Sequence, residues 1–168
     1  MNTDVVKSLV SALATALDVE IIRAEQGGSM PASDYGSYKV TLKNNEKYQD
    51  RRELYIPDPA KYKEEYSRKE NFSISLSFIS RTGVANIWTL ADRAFDFLNV
   101  LSVDLKKSLN IYVEMLAGVT DRTTYIDPTY EYKVGFDFLV HGIGKLERVI
   151  DAVDIEGTID GIVEVTSP

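Results

Sequence analysis

The stretch from Tyr130 to Val140 constrains this chain more than any other part of it. Tyr130, Tyr132, Val134, Phe136, Phe138 and Val140 alternate with Glu131, Lys133, Gly135, Asp137 and Leu139. Successive side chains of a strand point to opposite faces, so this pattern specifies a strand with one dry face and one wetter face. Such a strand is stable only inside a sheet whose dry face is covered by another layer. The same logic recurs upstream, where Phe72, Ile74, Leu76 and Phe78 alternate with Ser73, Ser75 and Ser77.

The covering layer reads as helical. Val5, Val6, Leu9, Val10, Leu13 and Leu17 recur at three- and four-residue spacing, with Asn2 or Thr3 placed to cap and Asp18 closing the pattern. Ile87, Leu90, Ala91, Ala94, Phe95 and Leu98 form a second helical face. Ser102 is expected to cap a shorter helix that ends near Leu109, with Asn110 as a left-handed terminator. Shorter strands are expected at Val19–Ile22, Tyr38–Leu42 and Ile111–Ala117, and Gln26–Pro31 reads as a loop. Gly118–Pro128 reads as a polar connection, and Gly142 and Gly144 as the flanks of a turn. Arg148–Ile155 and Ile159–Val165 then read as further strands.

Residues 43–70 are the least regular part. They mix both charge signs around Pro57 and Pro59, and predict a long projecting hairpin or loop edged by Leu54–Ile56 and Tyr62–Tyr66. Strands that run in blocks predict an α+β fold, mostly antiparallel β-sheet with helices on one face. Residues 1–168 are expected to form a single α+β domain.

Composition narrows the chemistry. The chain has no cysteine, which removes thiol nucleophiles and Cys-based zinc sites. One histidine, His141, is the single conventional base near neutral pH, and no G-x-S-x-G turn accompanies it. Gly27-Gly28 lacks the spacing of a phosphate cradle. Asp151, Asp154, Glu156 and Asp160 lack the frame of a calcium loop and read as a solvated acidic edge. No enzyme activity, cofactor or metal is expected. The formal charge of −7 argues against broad phosphate-backbone binding. No segment approaches a membrane span, and the N-terminus lacks a signal peptide's basic start, so a soluble protein is expected.

What remains is contact chemistry. Tyr48, Tyr55, Tyr62 and Tyr66 lie in the charged middle segment beside Arg51 and Arg52. Tyrosine is enriched in protein interfaces, so this segment is read as a protein-binding surface. Asp121-Arg122-Thr123-Thr124 either shapes a turn or carries Arg122 to a neighbouring subunit's carboxylate.

Several of these pieces together resemble the tail or neck terminator proteins of tailed phages. Ile21-Ile22-Arg23-Ala24-Glu25-Gln26-Gly27-Gly28 with Pro31 is similar to the family's opening segment, with Glu25 where the family commonly has Asn. Phe72–Phe78 sits at its central strand, and Ala91-x-x-Ala94-x-x-Phe97-Leu98 on its following helix. Asp121-Arg122-Thr123-Thr124 with Tyr130-Glu131-Tyr132-Lys133-Val134-Gly135-Phe136-Asp137 looks like its "DRTT…YE…GFD" segment. The resemblance implies a hexameric ring that caps the tail tube, ends tail growth and joins tail to head. It implies contacts with the tail tube protein, a head–tail connector, the sheath in contractile tails, and DNA passing through without specific binding. It places the protein at the tail neck of the virion, after assembly in the host cytoplasm. Candidate interface residues are Arg23, Gln26, Tyr48, Arg51, Arg52, Tyr55, Tyr62, Tyr66, Arg122, Thr123 and Thr124. Rival readings are another connector or tail-tube ring protein, a small hydrolase using His141, and a monomeric acidic binding module.

Overall fold

The computed structural model describes residues 3–25, 30–45, 50–55, 61–126 and 129–151. Both alternating stretches lie within strands far longer than their apolar patterns. The element order is α1 (Thr3–Leu17), β1 (Ile21–Arg23), β2 (Tyr35–Asn45), β3 (Asp50–Tyr55), β4 (Lys61–Ser80), α2 (Ala85–Asp96), α3 (Val103–Ser108), β5 (Ile111–Met115), β6 (Thr120–Asp121), β7 (Thr124–Ile126) and β8 (Thr129–Asp151). The main sheet path is β1-β2-β4-β8-β5, and only the β1–β2 pair is parallel. This is an α+β fold with a mostly antiparallel sheet.

Register explains the core. Phe72 lies opposite Val140, Ile74 opposite Phe138, Leu76 opposite Phe136 and Phe78 opposite Val134. Directly opposed residues share a face, and all eight of these side chains are buried. Val6, Leu9, Val10, Leu13 and Leu17 of α1 complete the core, with Ile87, Leu90, Ala91 and Ala94 of α2. The helices therefore cover one face of the sheet, as the spacing predicts. Helix α1 ends in a left-handed Asp18 (φ 53°), with the Val19 amide donating to Ala14 and the Asp18 amide to Thr15. That pair of bonds is the usual way of satisfying terminal carbonyls.

Helix α2 runs into a π-helical turn over Phe97–Leu101. Ser102 does start α3, but its hydroxyl donates to the Leu98 carbonyl (3.3 Å) instead of capping α3. The π turn leaves carbonyls that need donors, and Lys106 Nζ supplies them to Leu98 and Asn99, both at 3.0 Å. Asn110 is left-handed (φ 52°), as expected of a terminator.

Of the two readings of residues 43–70 the hairpin is the one present: β2 extends to Asn45, β3 follows, and β4 already begins at Lys61. Both β2 and β3 run antiparallel along the same edge of β4, and β3 and β4 form the expected hairpin. Pro57 and Pro59 lie outside the described residues. Three other expectations need correction. The polar connection 118–128 contains β6 and β7, both paired with β8. No turn interrupts Gly142–Gly144, and the strand expected from Arg148 is the end of β8 itself. The stretch expected as a strand over Ile159–Val165 lies outside the described residues.

The glycines in β8 have a physical reason. Gly142 lies opposite Glu70, and Gly144 opposite Arg68. Arg68 and Glu70 form an ion pair at 2.7 Å on that face, with the Glu70 side chain only 3% exposed. Glycine opposite each leaves room for these long side chains. Burial works against the charge of Glu70, but hydrogen bonding and the Arg68 guanidinium outweigh it, so its pKa is lowered from 4.5.

Gly135 is a different case. A Cβ there would lie 2.1 Å from the Leu76 carbonyl oxygen, a backbone atom that cannot step aside. We expect Gly135→Ala to destabilise the fold by about 3 kcal/mol or more in urea denaturation. Gly118→Ala, where a Cβ meets nothing within 4 Å, should stay within about 0.5 kcal/mol. A second expectation follows from Glu70. Its lowered pKa contributes stability above 4.5 that is lost as pH falls through the folded value. Urea midpoints should therefore fall more steeply in the parent than in Glu70→Gln between about pH 4.5 and 3.

Candidate functional site: the Arg122 cluster and the charged hairpin

The wet face of the sheet is where the sequence motifs meet. Strand β6 pairs with β8 at Thr120↔Gly135 and Asp121↔Val134, and the Arg122 amide continues the ladder to the Lys133 carbonyl at 2.7 Å. The Arg122 side chain then crosses the sheet. Its guanidinium lies 3.1 Å from Asp137 Oδ1 and donates to Ser75 Oγ at 2.8 Å and Ser77 Oγ at 3.4 Å. Gly135 lies between Thr120 and Ser77 in the sheet and carries no side chain, so the guanidinium can pass over β8 to reach β4. The two halves of the "DRTT" and "GFD" segments are thus one constellation: Arg122, the bare Gly135 and Asp137.

Asp121 and Thr123 tighten the turn that aims Arg122. The Thr123 amide donates to Asp121 Oδ1 at 2.8 Å, and Thr123 Oγ1 accepts from the Lys133 amide at 3.2 Å. Hydrogen bonds from the Thr123 hydroxyl and amide hold the Asp121 carboxyl below its ordinary range. Thr124 begins β7 opposite Glu131 and is exposed. Within the chain Arg122 is thus tied to Asp137, Ser75 and Ser77. Ser75, Ser77 and Asp137 were legible as a wet strand face, but their convergence on one arginine depends on register.

Among the other candidates, Arg23 is exposed at the end of β1, opposite Tyr38. Next to it Glu25 holds a left-handed backbone (φ 73°), and Lys39 ion-pairs with its carboxylate. That hydrogen bond and charge lower the Glu25 pKa. Asn tolerates this backbone better than Glu, so the Asn that the resemblance leads one to expect here has a conformational reason. Arg51, Arg52 and Tyr55 lie on β3, opposite Tyr66, Glu65 and Tyr62 of β4 respectively. The Tyr66 hydroxyl donates to the buried Glu64 carboxylate at 2.8 Å. Gln26 and Tyr48 lie outside the described residues. The acidic positions Asp154, Glu156 and Asp160 also lie outside them.

His141 sits on the wet face between two strands. Nδ1 is 3.0 Å from Asn71 Oδ1, and Nε2 is 2.8 Å from Glu114 Oε2. Both ring nitrogens are therefore engaged by neighbouring side chains. Among the described residues no three His, Asp or Glu side chains converge as a metal site. No helix among them is long and apolar enough to cross a membrane.

The strand arrangement alone does not name a role. A family model described as the phage neck terminator protein matches residues 3–165. The chain belongs to this family. It is accordingly a structural component of the phage tail, placed at the neck of the virion. No curated protein matches the chain. One solved chain aligns over 84% of this chain and 95% of its own length, at a TM-score of 0.38 and 10% identity, a likeness too distant to add to the assignment. Within the family frame, the Arg122 cluster is a brace for the sheet's wet face. Arg122→Lys loses the planar fork and should cost about 1 kcal/mol in urea denaturation. A double-mutant cycle with Asp137→Asn should return a coupling of about 0.5–1 kcal/mol.

Proposed function

We propose that this chain forms a ring, hexameric by the family resemblance, that caps the phage tail tube. The ring ends tail growth and offers the surface to which the head joins. The observation that carries this reading is the family match over residues 3–165. In this reading the whole chain acts as one domain without catalysis. Its partners are further copies of itself, the tail tube protein, a head–tail connector and, in a contractile tail, the sheath. DNA passes through the ring without specific binding, and the charge of −7 supports a lumen that repels phosphates. The subunit assembles in the host cytoplasm and ends in the neck of the virion.

The architecture suits a ring subunit. Head-to-tail contacts need two different, complementary surfaces on each copy. Among the described side chains the buried apolar rows reach Phe72 and Val140, and β4 and β8 continue to Lys61 and Asp151. At about 3.3 Å per residue this extension runs roughly 35 Å past the core. The β3–β4 hairpin lies on it and carries Arg51, Arg52, Tyr55, Tyr62 and Tyr66. A segment that no helix among the described residues covers, rich in tyrosine and both charge signs, is the natural contact surface for a neighbour or tail partner.

Electron microscopy of a phage with an early stop codon in this gene tests the reading. We expect tails of uncontrolled length, or complete tails that fail to join DNA-filled heads. Supplying the chain in trans should restore whole particles. Normal, joined tails made without it would overturn the proposal.

A further inference from the structure

A cleft of about 210 Å³ opens between α1 and the β1–β2 edge of the sheet. Val6, Tyr38, Val40 and Phe72 form its apolar part, and Lys7, Arg23 and Lys43 its charged part. No carboxylate among the described residues lines it. Register puts the strand residues on one face. Lys43 lies opposite Phe72, Val40 opposite Ile74 and Tyr38 opposite Leu76, with Arg23 opposite Tyr38 on the other side of β2. This is the face that α1 covers. The place of Lys43 depends on a bulge between Val40 and Leu42. Without it Leu42 would stand opposite Phe72. With it Leu42 is 59% exposed, and Lys43 Nζ lies 5.3 Å from the centre of the Phe72 ring. Bulges re-aim side chains in this way beside functional sites.

The cations are loosely held. Among the described residues Arg23 and Lys43 form no ion pair. Lys7 meets Asp4 at 3.4 Å, with both side chains 62% exposed. Glu25, the acid near Arg23, is paired with Lys39. Small-molecule sites commonly enclose about 300–1,000 Å³. A smaller cleft with an apolar floor and a cationic mouth suits one apolar side chain presented beside carboxylates.

The opposite edge of the sheet presents such a side chain. Strands β5 and β6 pair with β8 on the edge away from β4, and the turn after α2 packs on β5. Val100, Val103, Tyr112 and Leu116 are exposed there. Val100 and Val103 sit beside Lys106 and Lys107, whose charge would oppose that of the cleft, and the Tyr112 ring lies against His141. Leu116 is different. It is 50% exposed in the β5–β6 connection, between the exposed Glu114 and Asp121. No Lys or Arg occurs from Ser108 to Asp121. Arg122 turns inward onto Asp137, Ser75 and Ser77. Glu114 touches His141 through Oε2, yet its side chain is still 50% exposed.

We infer that Leu116 of a second copy docks in this cleft, with Glu114 and Asp121 of that copy facing Lys7, Arg23 and Lys43. This deepens the proposed ring and rests on its self-association, not on its place in the neck. Each copy then carries a knob on one edge of its sheet and a socket on the other, the two unlike surfaces that a head-to-tail contact needs.

The chain has no cysteine, so single introduced thiols can report the contact. Equal parts of a Val40→Cys chain and a Leu116→Cys chain are mixed and oxidised. Each carries one thiol, so a disulfide joins only two different copies. We expect the mixed product to exceed both symmetric ones. Leu42→Cys, also at the cleft and exposed, replaces Val40→Cys should that chain fail to fold. Leu116→Asp, and separately Arg23→Glu with Lys43→Glu, should weaken self-association about ten-fold or more by sedimentation while keeping the parent's urea midpoint. Self-association without the mixed disulfide would overturn the proposal and leave the ring reading intact. Tail tubes that shield the Val40→Cys thiol from alkylation where no mixed disulfide forms would also overturn it, by assigning the cleft to the tube protein. Loss of the mixed disulfide on adding a short single-stranded DNA would equally overturn it, by assigning the cleft to phosphate. A parent chain that stays monomeric by native mass measurement at every concentration, alone and with tail tubes, fails both readings together.

Discussion

The structure depends on the pairing of β4 with β8. The two strands stay in unbroken register from Ser80 opposite Tyr132 to Lys61 opposite Asp151. At one end this pairing aligns two apolar rows under α1 and α2 and so creates the core. In the middle it opposes two glycines to the Arg68–Glu70 pair. At the far end it carries the β3–β4 hairpin beyond the helices. Because side chains alternate with a period of two, a slip of one residue would invert both faces at once. Gly135 opposes such a slip locally, since any side chain there would meet the Leu76 carbonyl.

Where strands pack under helices, hydrophobic alternation announced them. Phe72–Phe78 and Tyr130–Val140 were legible because one face of each must be dry. The helices were legible for the same reason, through Leu9, Leu13 and Leu17 or Leu90, Ala94 and Leu98. Where β4 and β8 run past that layer, no such selection acts. Lys61–Asn71 and His141–Asp151 are strands held by backbone bonds to neighbours on the sheet, and their mixed residues look like loop. Gly142 and Gly144 were misread as turn flanks because the residues they face, Glu70 and Arg68, come opposite them only through the β4–β8 register.

The cluster around Arg122 was half legible. The local motif showed that Arg122 and Thr123 belong to a shaped turn, and the Asp121–Thr123 bonds agree with that. Its partners were not legible, because Ser75, Ser77 and Asp137 come together only through the register of β4, β8 and β6. Family membership came through better than geometry, because the segments that carry it are the ones the sheet brings together.

The continuous β4–β8 ladder has a mechanical meaning. A pull along the strands at the hairpin end loads many rungs side by side, in shear, so that none gives way before the others share the load. Strands that met at a turn near Gly142 would instead be peeled apart one rung at a time. The subunit can therefore pass a displacement from its tip to its helices as a stiff strut does, a property suited to a structural part of the phage neck.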